Sequence, residues 1–290
     1  MKGIVLAGGT GSRLWPSTLA TCKQLIPIYD KPMIFYPIST LMTAGVREIL
    51  IICTKGDLNS FKKLLGDGSD FGISISYKIQ PAPEGLAQAY LLGEEFLNQD
   101  SSILILGDNL FYGAELGTRL QELGTKKVGA HIFTYPVANP SEYGVLSLDD
   151  EGKAVGIDEK PERPQSNLAV TGLYFFDQYA PLLAREIKPS KRGELEIISL
   201  IEFYLNNSTL TYTTLGKGHA WLDTGSPKAL HDASSFIRVI EERTGQKIAC
   251  LEEIAYLSEW ITRKDLEDKI SSYKNNEYGQ YLSRFLNYVK

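Results

Sequence analysis

Three short runs, Ile4 to Ala7, Ile49 to Ile52 and Ile103 to Leu106, are apolar at consecutive positions instead of at every second one. A strand written this way must bury both faces, which happens in parallel sheets covered by helices on either side. Stretches of helical periodicity separate the runs: Met33 to Ala44, closed by Gly45, then Leu58 to Leu65 and Leu86 to Leu97. Strands at Arg47 to Cys53, Ile73 to Ile79, Ser102 to Leu106 and Val128 to Tyr135, with a helix at Ala114 to Leu123, extend the alternation. The pattern predicts an α/β doubly wound sheet, mostly parallel, over residues 1–135.

From Pro136 the texture changes. Turn signals at Asn139-Pro140, Asp149 to Gly152 and Lys160 to Pro164 separate short strands at Gly144 to Leu148 and Ala154 to Asp158, so residues 136–225 read as a β-rich insertion on the same sheet. Thr171 to Phe176 returns as a strand, Glu194 to Leu205 as an amphipathic helix, and Thr209 to Leu215 as a strand. Ser226-Pro227 opens a long helix. Residues 226–290 are helical, with Tyr256, Trp260, Tyr273, Tyr278, Tyr281 and Tyr288 suited to packing or subunit contacts. No linker composition divides the chain, which reads as one domain.

A net charge of −5 argues against a nucleic-acid binder, so an anionic ligand needs a local site. No apolar run approaches the roughly 18 residues of a membrane helix, and a soluble cytoplasmic protein without membrane attachment is expected. Cys22, Cys53 and Cys250 form no C-x-x-C pair and read as reduced packing residues. His131, His219 and His231 show no metal or triad spacing and read as packing residues too.

The first strand runs into Gly8-Gly9-Thr10-Gly11, followed by Arg13 and Lys23. Glycines let backbone N–H groups approach a ligand, and the cations add what a polyphosphate requires. Leu14 stands where a dinucleotide fingerprint has its third glycine, and no Gly-Lys-Ser/Thr closes a P-loop, so the residues alone also allow a plain structural turn. Asp108 and Asp223 each follow a predicted strand beside glycine, a setting for Mg²⁺ or for turn caps. In Asp158-Glu159-Lys160-Pro161 the proline predicts an extended Lys160 able to meet a phosphate, although a polar loop has the same composition. Tyr143-Gly144 and Thr171-Gly172 suit a sugar ring or a hairpin. The loop from Gln80 to Gly85 could read a base edge.

These residues fall in blocks: GIVLAGGTGSRL (3–14), KQLIPIYDKPMIFYPISTLM (23–42), LLGDGSDFG (64–72), QPAPEGLAQA (80–89), LGDN (106–109), EKP (159–161), VTGLYF (170–175), RGELEI (192–197), WLDTG (221–225) and EEIAY (252–256). In them the chain closely resembles the glucose-1-phosphate thymidylyltransferases, a branch of the sugar nucleotidyltransferases, over nearly its whole length. The resemblance implies a Rossmann-like, mixed sheet of the nucleotide-diphospho-sugar transferase type, and the reaction of dTTP with α-D-glucose 1-phosphate to dTDP-glucose and pyrophosphate. It assigns Leu6, Gly8, Gly9, Thr10, Gly11, Gln24, Gln80, Pro83 and Gly85 to the nucleotide. Asn109, Tyr143, Gly144, Glu159, Val170, Tyr174 and Trp221 go to the sugar phosphate. Arg13 and Lys23 would hold the triphosphate, Lys160 the sugar phosphate, and Asp108 with Asp223 the Mg²⁺. It further implies a homotetramer with feedback by dTDP-L-rhamnose. A relative using UTP or another sugar phosphate, and a sugar-nucleotide-binding subunit without turnover, remain the alternatives.

Overall fold

The structure, a computed structural model, describes residues 1–124, 128–273 and 276–289. After β1 (Lys2–Ala7) and the glycine turn, a small hairpin of β2 (Pro27–Ile28) and β3 (Lys31–Pro32) leads into α1 (Phe35–Thr43), β4 (Glu48–Cys53), α2 (Leu58–Leu65), β5 (Ser74–Ile79), α3 (Gln88–Leu97) and β6 (Ser102–Leu106). Next come β7 (Asn109–Gly113), α4 (Leu116–Leu123), β8 (Ala130–Pro136), β9 (Gly144–Leu148), β10 (Ala154–Glu159) and β11 (Leu168–Phe176). The remainder is α5 (Ala180–Glu186), α6 (Ile197–Asn206), β12 (Leu210–Thr214), β13 (His219–Asp223), α7 (Pro227–Thr244), α8 (Leu251–Leu257), α9 (Arg263–Ser272) and α10 (Glu277–Tyr288).

The main sheet runs β10-β9-β11-β6-β1-β4-β5, with β8 on β11 and β12 on β8. β6, β1, β4 and β5 pair in parallel, as do β8 and β12, while β11 is antiparallel to β6, β8 and β9, and β10 to β9. Among the described strands of this sheet, only β10 and β11 therefore run against the rest. Consecutive apolar residues go to opposite faces: Val5, Ile49, Ile51, Ile103 and Ile105 pack with α1, α4 and the tail helices, and Ile4, Leu50, Ile52 and Leu104 with α3, α5 and α6. That two-sided burial is the reason these runs lack the alternation of a half-exposed strand.

Several details depart from the sequence reading. The helix expected from Glu194 begins at Ile197, because Leu195 N–H and C=O are drawn into bonds with Glu84 O (2.6 Å) and Ala87 N (3.0 Å). α5 and the β2–β3 hairpin had no distinct signal. β7 and β13 leave the main sheet and pair with each other, antiparallel, with Asp223 opposite Asn109. Gly245 (φ 69°) caps α7 after its Ser226 N-cap, as the sequence indicates.

Most of the tail aromatics pack within the chain, but Tyr288 is 85% exposed. Tyr273 and Tyr278 donate to the two carboxylate oxygens of fully buried Glu252 (2.5 and 2.7 Å), Tyr281 donates to Glu253, and Trp260 lies over Arg47 and against Gly72. All three cysteines are buried and free. His131 bonds Thr211 and Thr213 and His219 packs on Gly113, but His231 is exposed on α7 and is not a packing residue, since it falls on the solvent side of that helix. No described helix is long and apolar enough to cross a membrane.

Candidate active site

One cleft of about 480 Å³ opens at the carboxyl ends of β1 and β6, where open α/β sheets collect ligands. The residues assigned to nucleotide, sugar phosphate and metal line it: Leu6, Gly8, Gly9, Thr10, Gly11, Arg13, Lys23, Gln24, Gln80, Pro83, Gly85, Asp108, Asn109, Tyr143, Gly144, Glu159, Lys160, Val170, Tyr174, Trp221 and Asp223; Thr171 does not, its buried hydroxyl being turned to Phe133 O (3.0 Å). No histidine is among the described lining residues.

At the glycine end, a Cβ on Gly8 would stand 1.8 Å from Gln80 Oε1, so glycine is required there by the Gln80 side chain. Gln80 is buried, and its amide donates to Gln88 Oε1 (2.6 Å); Gln88 in turn donates to Glu84 Oε2 (2.8 Å). Gly85, at φ +102°, allows Leu195 O to come within 2.4 Å of where a Cβ would be. The loop from Gln80 to Gly85 thus sits on the glycine turn and is clasped to the segment before α6. Gly9 faces open space, and Gly11 turns the chain at φ +64° towards Arg13. Gln24 is buried with an Oε1 that has no partner among the described residues, an orphan acceptor in the cleft wall.

Between this end and the insertion stand the two aspartates. Thr224, next to Asp223, donates its N–H (3.1 Å) and its hydroxyl (2.7 Å) to Asp108 O, which locks the β6–β7 turn to the end of β13. Lys23 Nζ meets Asp108 Oδ2 at 2.5 Å. Burial, and then the Asp108 charge, raise the Asp223 carboxyl above the usual range, against the pull of Lys23, Arg13 and the Gly225 N–H. Two carboxylates near enough for the charge of one to raise the other, in a half-dry site, are a donor set that fits a small divalent cation. Asn109 Oδ1 accepts from Trp221 Nε1 (2.6 Å) and Gly172 N (3.2 Å), and its Nδ2 donates to Asp108 Oδ1 (3.0 Å).

The far end is built from residues within 142–144, 159–174 and 192–198, and from Trp221. Tyr143 sits edge-on to Trp221 at 5.2 Å, and Val170 and Tyr174 form a buried floor. Gly144 lies under Ile198, whose Cδ1 would be 2.8 Å from a Cβ. Lys160 N–H donates to Tyr143 O (3.0 Å), and its φ is +47°, not extended. A following proline removes the right-handed helical region without choosing among the others, and this bond at the mouth of the β9–β10 hairpin makes the choice.

Arg192, Glu194, Glu196 and Ile198 also line the cleft and were not anticipated. Arg192 pairs with Glu159 (3.1 Å) and Glu196 (2.9 Å), and Ser190 Oγ donates to Glu196 (2.7 Å). Burial, then Glu196, raise the Glu159 carboxyl, with Arg192 and Lys160 opposing. The close alternation Arg192-Gly193-Glu194-Leu195-Glu196 ahead of an apolar helix was the available signal.

The profile of the nucleotidyl transferase family matches residues 2–239. A Neisseria meningitidis protein named glucose-1-phosphate thymidylyltransferase is 52% identical over 286 residues, 99% of each chain, and a Mycolicibacterium smegmatis protein of the same name is 49% identical with the same coverage. A Bacillus anthracis structure, described as a candidate glucose-1-phosphate thymidylyltransferase with a sucrose bound, superposes with TM-score 0.77 at 38% identity, covering 82% of this chain and 95% of that one. A UDP-glucose pyrophosphorylase solved with UDP-glucose shares the fold at TM-score 0.72 and 24% identity, covering 82% and 98%.

Proposed function

This chain belongs to the nucleotidyl transferase family, and from that premise we propose that it transfers the thymidylyl group of dTTP to α-D-glucose 1-phosphate, giving dTDP-glucose and pyrophosphate. The single observation that carries the reading is the meeting in one cleft of the glycine turn with Gln80, the Asp108–Asp223 pair, and the Tyr143–Lys160 end of the insertion. Residues 1–135 then serve mainly the nucleotide and residues 136–225 the sugar phosphate.

The reaction is one of charge. A phosphate monoester has a second pKa of about 6, so near neutral pH the attacking oxygen is already anionic and no base is needed. That oxygen bonds to the α-phosphorus in line with the departing pyrophosphate, whose bridging oxygen keeps the electron pair. The backbone N–H groups of the glycine turn, with Arg13 and Lys23, hold the triphosphate part that leaves; Lys160 holds the sugar phosphate, and the chain's contribution is to align two anions. Asp108 and Asp223 would hold a Mg²⁺, which neutralises charge accumulating on the phosphates. Gln80 and the loop to Gly85 face the base, and Tyr143, Gly144 and Glu159 face the sugar. The homotetramer, feedback by dTDP-L-rhamnose and cytoplasmic setting rest on the family resemblance.

Pyrophosphate release measured over a grid of nucleotides and sugar 1-phosphates, with and without Mg²⁺, tests the whole reading. The dTTP and glucose 1-phosphate pair is expected to turn over fastest and to need the metal. Because a thymine methyl is a small apolar contact, UTP should be a poorer substrate by roughly 10–200-fold. Activity with UTP and none with dTTP would overturn the assignment, and binding of dTDP-glucose without any turnover would mark a regulatory subunit instead.

Gly8→Ala probes the nucleotide end. The added methyl must displace Gln80, which is tied to Gln88, and a buried polar group that loses its place costs about 1–3 kcal/mol. The KM for dTTP is expected to rise at least roughly tenfold with the KM for glucose 1-phosphate nearly unchanged; an equal rise in both would place Gln80 away from the nucleotide.

A further inference from the structure

We infer that Asn109, held by the Trp221 indole and the Gly172 N–H, is a positioning residue that fixes the Asp108 carboxylate for its cation. The inference rests on the reading that Asp108 and Asp223 hold the divalent ion. Asn109 is 3% exposed, so its amide has almost no water to turn towards. Two groups that can only donate, the indole N–H on β13 and the peptide N–H on β11, both point at Oδ1 (2.6 and 3.2 Å). They settle which end of the amide is oxygen, and Nδ2 is thereby turned onto Asp108 Oδ1. With Lys23 on Oδ2, both oxygens of Asp108 are held, and the soft terminal torsion of the aspartate cannot rotate freely.

The ribbon geometry explains why these residues act together. Asn109 and Asp223 are cross-strand partners, and Trp221 lies two residues before Asp223, so all three project from the same face of the β7–β13 pair. Gly172 joins them from the main sheet: a Cβ there would lie 2.5 Å from Asn109 Oδ1, so only glycine permits the approach. Trp221 thus spends its one polar atom on the metal side although its ring rests against Tyr143 on the sugar side. Partners that orient a metal ligand typically contribute 10–100-fold to metal affinity.

Trp221→Phe removes the donor and keeps a ring beside Tyr135 and Tyr143. Gly172→Ala pushes Asn109 away from a different strand. Mn²⁺ binding is titrated by electron paramagnetic resonance on the full chain with an unreactive α,β-methylene analogue of dTTP. Both variants are expected to raise the Mn²⁺ dissociation constant roughly tenfold or more, and the double variant by less than the product. Wild-type Mn²⁺ affinity in Trp221→Phe overturns the inference. Asp223→Asn in the same titration separates the two readings. If it weakens Mn²⁺ binding while Trp221→Phe does not, the positioning role alone is lost; if it too leaves binding intact, the metal pair is lost and this inference with it.

Discussion

Asp223→Asn is expected to lower turnover by roughly a hundredfold or more, the scale of removing preorganised charge stabilisation, without weakening the fold. The amide has the shape of the carboxylate but brings no charge to the cation, and Arg13 loses its acidic neighbour across Gly225. Stability follows the opposite sign. Burial and Asp108 raise the Asp223 carboxyl in the folded state, so the folded chain holds that proton more tightly than the unfolded chain. Stability therefore falls as pH rises from the unfolded pKa through the raised folded one, and at neutral pH the ionised group opposes folding. A neutral asparagine removes that opposition, so the metal-free variant should melt no lower than the wild type at pH 7. Turnover paired with melting curves checks both halves: near-normal dTDP-glucose formation sinks the metal assignment, and a lowered Tm contradicts the electrostatic account.

Lys160→Ala is expected to cost a similar factor, roughly a hundredfold, divided between a lower kcat and a higher KM for glucose 1-phosphate. Two cations stand at this end of the cleft, and their commitments differ. Arg192 is shared among Glu159, Glu194 and Glu196, whereas Lys160 has no ion-pair partner among the described residues. Its ammonium is the charge left over for a phosphate. Its backbone is held at φ +47°, a region that costs a residue with a Cβ roughly 1–2 kcal/mol, and the cost goes into aiming this side chain from the hairpin mouth. Lys160→Arg keeps the charge but replaces a compact ammonium with a planar fork, and should restore only part of the rate. Steady-state kinetics in both substrates decide it: an unchanged KM for the sugar phosphate in Lys160→Ala would move the role to Arg192.

How far the chain could be read before folding varied along it. The two-faced runs around Val5, Leu50 and Leu104 are local statements about burial, and the sheet places them as written. GGTG and the loop from Gln80 to Gly85 each carry their own backbone signal, although what demands glycine at Gly8 is Gln80, and at Gly85 is Leu195. Glu196 was hidden because the helix pattern expected from Glu194 ran through it, while tertiary bonds from Leu195 hold that turn open. Lys160 was misread because a pre-proline rule excludes conformations without selecting one.

By itself, then, the sequence determined which segments are buried on two faces, where the chain turns, and which residue types are available for phosphate, sugar and metal, since each follows from neighbours within a few positions. Only the tertiary structure decided that Asp223 stands opposite Asn109 and that Trp221 turns its N–H to that amide and not to a ligand. Those facts depend on a ribbon between strands more than a hundred residues apart in the chain, formed outside the main sheet. No local pattern encodes such a pairing, because the free energy that selects it comes from packing and hydrogen bonds made only after the sheet has brought β7 and β13 together.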